Sequence, residues 1–367
     1  MNILLATWTL SEFTGAELYT RDLALALHQR GHGVTVYAAN RGPLSEWLAA
    51  EGVAVIDRLD AILVPPDIIH THHQPALLDA LIALPQTPAI YVIHDATSAL
   101  DAPFPFPRVK RHVAVDRRCL GRIQEAGVAA GQQATLLNFV DLNRFQPRGA
   151  LPSVPRWALV FSNYAAESNH LAAIRQACAE AGLELDVIGK GVGRSLAAPE
   201  AVLGQYDVVF AKARAAIEAM AVGAPVILCD FAGLGEMVTA AEFDRLRQWN
   251  FGAGVLDRPI TVAGILGELR RYDPADAAKV SGRIRAEASL DRAVDDWLAL
   301  YTEVLGEIAP PDSADERAWL IVQRRRWRGL RRVDWIRART RRLKASVGYR
   351  VGRAIWRAIG SPGERRG

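Results

Sequence analysis

Short apolar runs alternate along the chain with stretches whose apolar residues fall three and four apart, a pattern of strands separated by helices. In the first third, residues 3–7 read as a strand and residues 15–30 as a helix with Leu18, Leu23, Leu25 and Leu27 on one face. Gly31-His32-Gly33 stops that helix, and residues 34–38 form the next strand. Further strands are expected at 68–70, 89–94, 112–115 and 135–137, and helices at 45–51, 75–84 and 117–126. Pro103, Pro105 and Pro107 exclude helix or central strand at 101–108, leaving a loop. The rhythm pauses in the proline-containing segment 147–155 and then restarts. It resumes with strand 157–162, helix 169–181 and strand 184–188, which runs into Gly189-Lys190-Gly191. Strand 207–210, helix 213–222 with a stop at Gly223, strand 226–229 and a Gly233-Leu234-Gly235 turn follow. Residues 251–256 and helices at 262–271, 274–288 and 290–308 complete the body before Pro310-Pro311. Strands joined by helices of this length imply parallel sheets covered on both faces. The expected fold class is therefore α/β, with two doubly wound parallel-sheet domains at residues 1–150 and 151–308 and a tail at 309–367.

Composition narrows the class. The 367 residues, half of them hydrophobic, suffice for two cores. No run reaches the roughly 18–20 apolar residues of a membrane span, and the first residues lack the basic flank of a signal peptide, so a cytoplasmic location is expected. Cys119, Cys178 and Cys229 are far apart and odd in number, which suits neither a disulfide framework nor a zinc site. The net charge of +4 is unevenly spread: residues 317–367 carry 17 basic and 2 acidic side chains, the rest 27 basic and 38 acidic. An acidic body with a basic tail points to an anionic partner for the tail alone.

Six stretches in order carry a resemblance. They are Thr14-Gly15-Ala16-Glu17 with Arg30-Gly31-His32-Gly33-Val34-Thr35-Val36, then Pro66-Asp67-Ile68-Ile69-His70-Thr71-His72, and Val92-Ile93-His94-Asp95. Asn138-Phe139-Val140-Asp141 through Phe145-Gln146-Pro147 and Glu218-Ala219-Met220-Ala221-Val222-Gly223-Ala224-Pro225-Val226-Ile227 follow. Together they resemble the GT-B glycosyltransferases, and within them the retaining group called family 4, over roughly residues 1–308. The resemblance implies two Rossmann-like domains facing a cleft and transfer of a sugar from a nucleotide-sugar donor with retention of configuration. It implies a glycan or lipid-linked acceptor of the cell envelope or of a polysaccharide, no cofactor, and work at the inner face of a membrane. Two readings of other kinds stand beside it, a nucleotide-sugar epimerase on the same fold and a weakened module that binds glycan or scaffolds.

The residues themselves suggest roles. Gly15 sits at a strand-to-helix turn, where the absent Cβ and the free helix N–H groups suit a sugar hydroxyl or an anion; Gly15, Glu17 and His72 are the expected acceptor-side or sugar-side residues. On a strand, His70 and His72 share one face and His73 the other, and without a Cys, Asp or Glu at ligand spacing no metal site is expected. By resemblance His94 contacts the transferred sugar, with Asp95 as its neighbour, and Glu218 binds the ribose diol, which a carboxylate can accept from twice. The family's first Glu is replaced by Phe210, and its two phosphate-clamping cations are missing after strand 157–162, where Asn163 and later His170 stand. Lys212 and Arg214, at a helix N-terminus, are the expected substitutes that stabilise the leaving diphosphate. Lys190, Asn163 and the Gly233, Leu234, Gly235 turn complete the expected donor pocket. In the tail, Trp319, Val322, Trp327, Leu330, Val333, Ile336, Leu343, Val347, Val351, Ile355 and Ile359 mark amphipathic helix opposite arginines, which suits an anionic membrane surface first, docking on the acidic body of this or another subunit second, and nucleic acid third.

Overall fold

A computed structural model describes residues 1–11, 13–196, 198–307, 313–327 and 329. The first half runs β1 (Asn2–Leu10), α1 (Gly15–Gln29), β2 (Gly33–Arg41), α2 (Pro43–Ala50) and β3 (Ala54–Ile56). It continues with β4 (Ile68–His72), α3 (Gln74–Ala83), β5 (Ala89–Ile93), β6 (Val109–Ala114), α4 (Arg117–Glu125) and β7 (Gln133–Thr135). The second half begins with β8 (Trp157–Phe161), α5 (Leu171–Glu180), β9 (Glu184–Ile188), α6 (Glu200–Leu203), β10 (Val208–Ala211) and α7 (Ala213–Ala221). It closes with β11 (Val226–Asp230), β12 (Gly233–Met237), α8 (Phe243–Arg247), α9 (Val262–Leu269), α10 (Pro274–Glu287) and α11 (Leu290–Leu305).

The strands form a 7-stranded sheet of order β3-β2-β1-β4-β5-β6-β7 and a 5-stranded sheet of order β12-β11-β10-β8-β9. Every pairing in the first sheet is parallel. Its central strands are apolar on both faces because helices cover both: β5, Ala-Ile-Tyr-Val-Ile, is buried throughout. In the second sheet only β12 runs antiparallel, at the edge beside β11. Both sheets therefore realise the expected α/β class.

One local expectation is corrected, and two further details of the second and first halves emerge. The Gly233-Leu234-Gly235 stretch is strand, not turn. Its glycines are required by close approach: a Cβ at Gly233 would sit 2.5 Å from the Leu256 carbonyl oxygen, and one at Gly235 2.9 Å from that of Val255. Residues 251–256 hold a short 3-10 turn, Ala253–Val255, whose backbone does that packing. The brief strand β3 passed unread, since three residues are too short for a visible alternation.

Met1–Pro311 forms one compact unit. Within it α11, which closes the second half of the chain, packs on the first sheet. Trp297 donates its indole N–H to the Tyr19 hydroxyl at 2.8 Å, the Tyr301 hydroxyl meets His70 Nδ1 at 2.6 Å, and Arg111 of β6 pairs with Glu303 and Glu307 at 2.5 Å. In the second unit, residues 314–327 are helical, with Trp319 and Val322 exposed. Most of the tail reading, from Leu330 onward, lies outside the described residues. No helix among the described residues is long and apolar enough to cross a membrane.

Candidate active site

In a doubly wound sheet the crevice lies beyond the carboxyl ends of two neighbouring strands whose connections leave in opposite directions. The second sheet makes that reversal between β8 and β10, since β9 lies outside β8 while β10 and β11 lie on the other side. Lys212 follows β10 directly, Asp230 ends β11, and Phe231 is next. Ser162, Asn163 and Tyr164 follow β8, and Gly189-Lys190-Gly191 follows β9. These two loops touch because they carry glycine: a Cβ at Gly189 would lie 1.9 Å from the Ser162 carbonyl oxygen, and one at Gly191 2.1 Å from that of Ala165. Asn163 serves this junction, its side-chain oxygen accepting from the Lys190 backbone N–H at 3.2 Å. The Lys212 ammonium pairs with the fully buried Asp230 and is itself 23% exposed, so it is reachable from solvent.

The strand-to-helix junction after β10 is strained. Ala213 has φ +50° and donates its N–H to the Phe251 carbonyl at 2.8 Å, and Phe251 and its neighbour Asn250 also have positive φ. The first sheet repeats this at His73, between β4 and α3, with φ +71°. Backbone strain at equivalent strand ends marks positions that the surrounding structure holds in place at a cost.

Arg214 does not face solvent. It lies on the buried side of α7, its Nε donating to Glu218 at 2.7 Å and its Nη2 to Asp22, a residue of α1 192 positions away. Asp22 also takes Arg21 at 2.5 Å and Arg144 at 3.6 Å, and Arg144 reaches Glu200 at 2.8 Å. Asp22, Glu218 and Arg214 are all more than nine-tenths buried. Burial alone would raise the Asp22 carboxyl, but Arg214, Arg21 and Arg144 overcome it and hold it low. For Glu218 burial prevails, and with Arg214 offsetting only part of it the carboxyl is raised. Burial likewise works against the Arg214 guanidinium, yet Asp22 and Glu218 keep it charged. Its Nη1 remains buried without a hydrogen-bond partner. Arg214 is thus a strut between the two halves and the cap on Glu218, where the sequence suggested a cation presented to a ligand.

The first sheet supplies a histidine cluster. His70 and His72 project from the same face of β4 with rings 4.7 Å apart, and His72 Nδ1 meets His94 Nε2 at 2.8 Å. The Tyr19 ring packs edge-on against His72 and His94 at 5.5 and 5.0 Å. His73 turns the other way, to the Thr7 hydroxyl and the Trp8 N–H. Burial lowers His70 and His94 to about 3 and His73 to about 4, and carries His72 down as well. All four are neutral near pH 7. His94 has His72 as its partner instead of Asp95, whose carboxylate accepts from Thr97 and Ser98 to shape the following loop. Among the described residues no group of three or more His, Cys, Asp or Glu side chains is arranged to hold a metal ion.

At the start of α1, the backbone N–H groups of Ser11 and Thr14 donate to Glu17 at 2.9 and 3.1 Å, and the Thr14 hydroxyl donates at 2.8 Å. Glu17 organises the loop before the helix, and a Cβ at Gly15 would meet nothing within 4 Å. The structure brings Lys212 to the β8–β10 crevice and sets Asn163 and Lys190 on the loops beyond β8 and β9. It ties Arg214 and Glu218 to α1, places His72 with His94, and leaves the Gly233–Gly235 strand at the sheet edge. Asp22 and Asp230 were not singled out by sequence reasoning as partners of Arg214 and Lys212. An acidic residue on the apolar face of α1, between Tyr19 and Leu23, was the readable signal for Asp22.

Comparisons with known proteins complete the description. Residues 13–144 match the family described as Glycosyltransferase Family 4. No curated protein matches the chain in sequence. Among solved structures, HepE of Anabaena in complex with UDP and glucose is similar at TM-score 0.60 and 15% identity, covering 83% of this chain and 100% of that one. A glycosyltransferase from Rickettsia africae gives TM-score 0.59 at 13% identity, covering 83% and 98%. A putative UDP-N-acetylglucosamine 2-epimerase from Listeria monocytogenes gives TM-score 0.50 at 14% identity, covering 85% and 99%. The chain therefore has the GT-B fold, and over residues 13–144 it is similar to Glycosyltransferase Family 4.

Proposed function

We propose that the protein is a glycosyltransferase that takes a sugar from a nucleotide-diphosphate donor and passes it, with retention of configuration, to a glycan or lipid-linked acceptor. The observation that carries this is Lys212, a solvent-reachable ammonium at the β8–β10 crevice, where a parallel sheet of this kind receives a phosphorylated ligand. The diphosphate of the leaving nucleotide gains negative charge as the glycosidic bond breaks, and a fixed cation there lowers the barrier. Asp230 holds Lys212 at the crevice in the meantime and yields it to a dianionic group. HepE and its complex with UDP-glucose support the donor class.

Around this centre Glu218 is the ribose-side carboxylate, with Asn163, Lys190 and the Gly233-Leu234-Gly235 strand on the donor side. His94, neutral and held by His72, donates or accepts at the sugar, and Gly15 with the loop organised by Glu17 faces the acceptor. Arg214 contributes through Glu218 and its unpartnered Nη1. The acceptor belongs to an envelope or polysaccharide glycan, and the basic tail brings the enzyme to the cytoplasmic face of an anionic membrane. We place the divide between donor and acceptor domains near residue 150, in the segment that joins β7 to β8.

Titration calorimetry with UDP, ADP and GDP tests the reading: binding of one of them that Lys212→Ala weakens is expected. Binding of none would leave a scaffold in its place. The epimerase reading draws on the Listeria neighbour. Incubation with UDP-N-acetylglucosamine alone separates the two, because an epimerase changes the donor without any acceptor and a transferase does not.

A further inference from the structure

Two large aromatic rings stand exposed at the β8–β10 crevice: Tyr164, 59% exposed, on the loop after β8, and Phe231, 55% exposed, immediately after β11. They are 5.4 Å apart at an interplanar angle of 54°, so they form an open V instead of a closed stack. The Lys212 ammonium lies over both faces, 5.1 Å from the Tyr164 centroid and 5.5 Å from that of Phe231. A cation between two ring faces is favourable in itself. An exposed pair of rings, however, leaves apolar area in water that a ring-shaped ligand would cover.

A second observation points to the same place. His170, just before α5, is 5% exposed, and neither ring nitrogen has a hydrogen-bond partner among the described residues. It ends the loop after β8 that also carries Tyr164. Buried polar atoms are normally satisfied, and an imidazole with both nitrogens idle calls for a partner outside the chain. His170 also stands at the N-terminus of α5, a ten-residue helix whose first N–H groups favour an anion.

We propose that the exposed rings of Tyr164 and Phe231 form a platform on which a ring of the donor packs while Lys212 and His170 hydrogen-bond the adjoining diphosphate, a ring-and-phosphate clamp made from these four side chains. The inference rests on the nucleotide-sugar reading above and adds to it which residues set donor affinity. The ring packed there is either the nucleobase or the transferred sugar, both attached to the same diphosphate and both able to lay an apolar face on an aromatic one. Stacking on a side chain is tolerant of ring identity, so the clamp supplies affinity more than base selection.

Calorimetry on the full chain with UDP and with UDP-glucose tests it, extended to ADP, GDP and their glucose conjugates if the wild type prefers another base. Tyr164→Ala and Phe231→Ala are each expected to weaken binding about tenfold, with the thermal midpoint unchanged because both side chains are exposed. Equal losses for diphosphate and nucleotide sugar place the base on the rings, and a loss confined to the nucleotide sugar places the sugar there. Tyr164→Phe, which keeps the ring, should bind as wild type. His170→Phe should weaken both ligands about tenfold while His170→Gln, which retains an N–H, restores them. Wild-type affinity in both alanine variants and in His170→Phe overturns the clamp while the donor reading stands. Failure of the wild type to bind any of these nucleotides overturns both.

Discussion

Arg214 shows how one residue's role depends on what the fold brings to it. Its spacing to Glu218 allows the i,i+4 pair that forms, but the second carboxylate, Asp22, arrives from α1. Removing the guanidinium would leave two carboxylates buried together, so Arg214→Ala is expected to cost about 3–5 kcal/mol of stability. Asp22→Asn, which keeps the shape and one acceptor, should cost less. Chemical denaturation of both variants checks the order, and equal costs would contradict it. The histidines make a second prediction at this scale. Their folded pKa values lie below the unfolded value near 6.5, so the unfolded chain binds more protons as pH falls, and stability drops between about 6.5 and 3. Asp101, raised to about 7 by burial, and Glu218, also raised, act in the opposite sense but are fewer than the four histidines. Unfolding free energies from denaturant curves measured from pH 7.5 down to 5 should fall, with a slope that approaches about 1.4 kcal/mol per pH unit for each such histidine once the pH is well below 6.5.

At the scale of elements, the strand-and-helix order was legible because burial on both faces leaves an uninterrupted apolar run for each parallel strand. The register of β4 was legible as well: a two-residue period puts His70 and His72 together and His73 apart, as observed. The glycine-containing strand β12 was not legible, since Gly-Leu-Gly signals a turn, and only the backbone of residues 255–258 shows why side chains are excluded there. The same steric logic yields a prediction for the crevice. Gly189→Ala would drive a methyl group into the Ser162 carbonyl, parting the loops after β8 and β9. A loss of about 1–3 kcal/mol, together with weaker nucleotide binding, is expected, measured by thermal unfolding and calorimetry. Gly15→Ala, which meets nothing, should leave stability within about 0.5 kcal/mol of wild type.

For the whole molecule, the division of charge is the feature with consequences beyond the fold. The acidic body repels an anionic bilayer, whereas a tail with 17 basic side chains attracts it, by about 1 kcal/mol for each basic residue near the headgroups. Removal of residues 317–367 is expected to abolish co-sedimentation with vesicles containing phosphatidylglycerol and to leave nucleotide affinity unchanged. Raising salt should release the intact chain from the same vesicles. Sedimentation that survives removal of the tail would transfer the membrane role to the body.

The sequence by itself determined the α/β class, the two-sheet plan, the helix that carries Glu218 and the strand end that carries Lys212. Those features follow from periodicity and from residues close together in the chain, where the period of a strand or helix dictates which side chains share a face. Tertiary structure alone decided which charges meet. Arg214 became a strut because Asp22 faces it from α1, and His94 leans on His72 because β4 and β5 are neighbours. It also decided that Lys212 lies over the exposed rings of Tyr164 and Phe231, which come from the ends of different strands. Local propensity carries no information about such pairs, because their partners come from separate strands and helices that only sheet order and helix packing bring together.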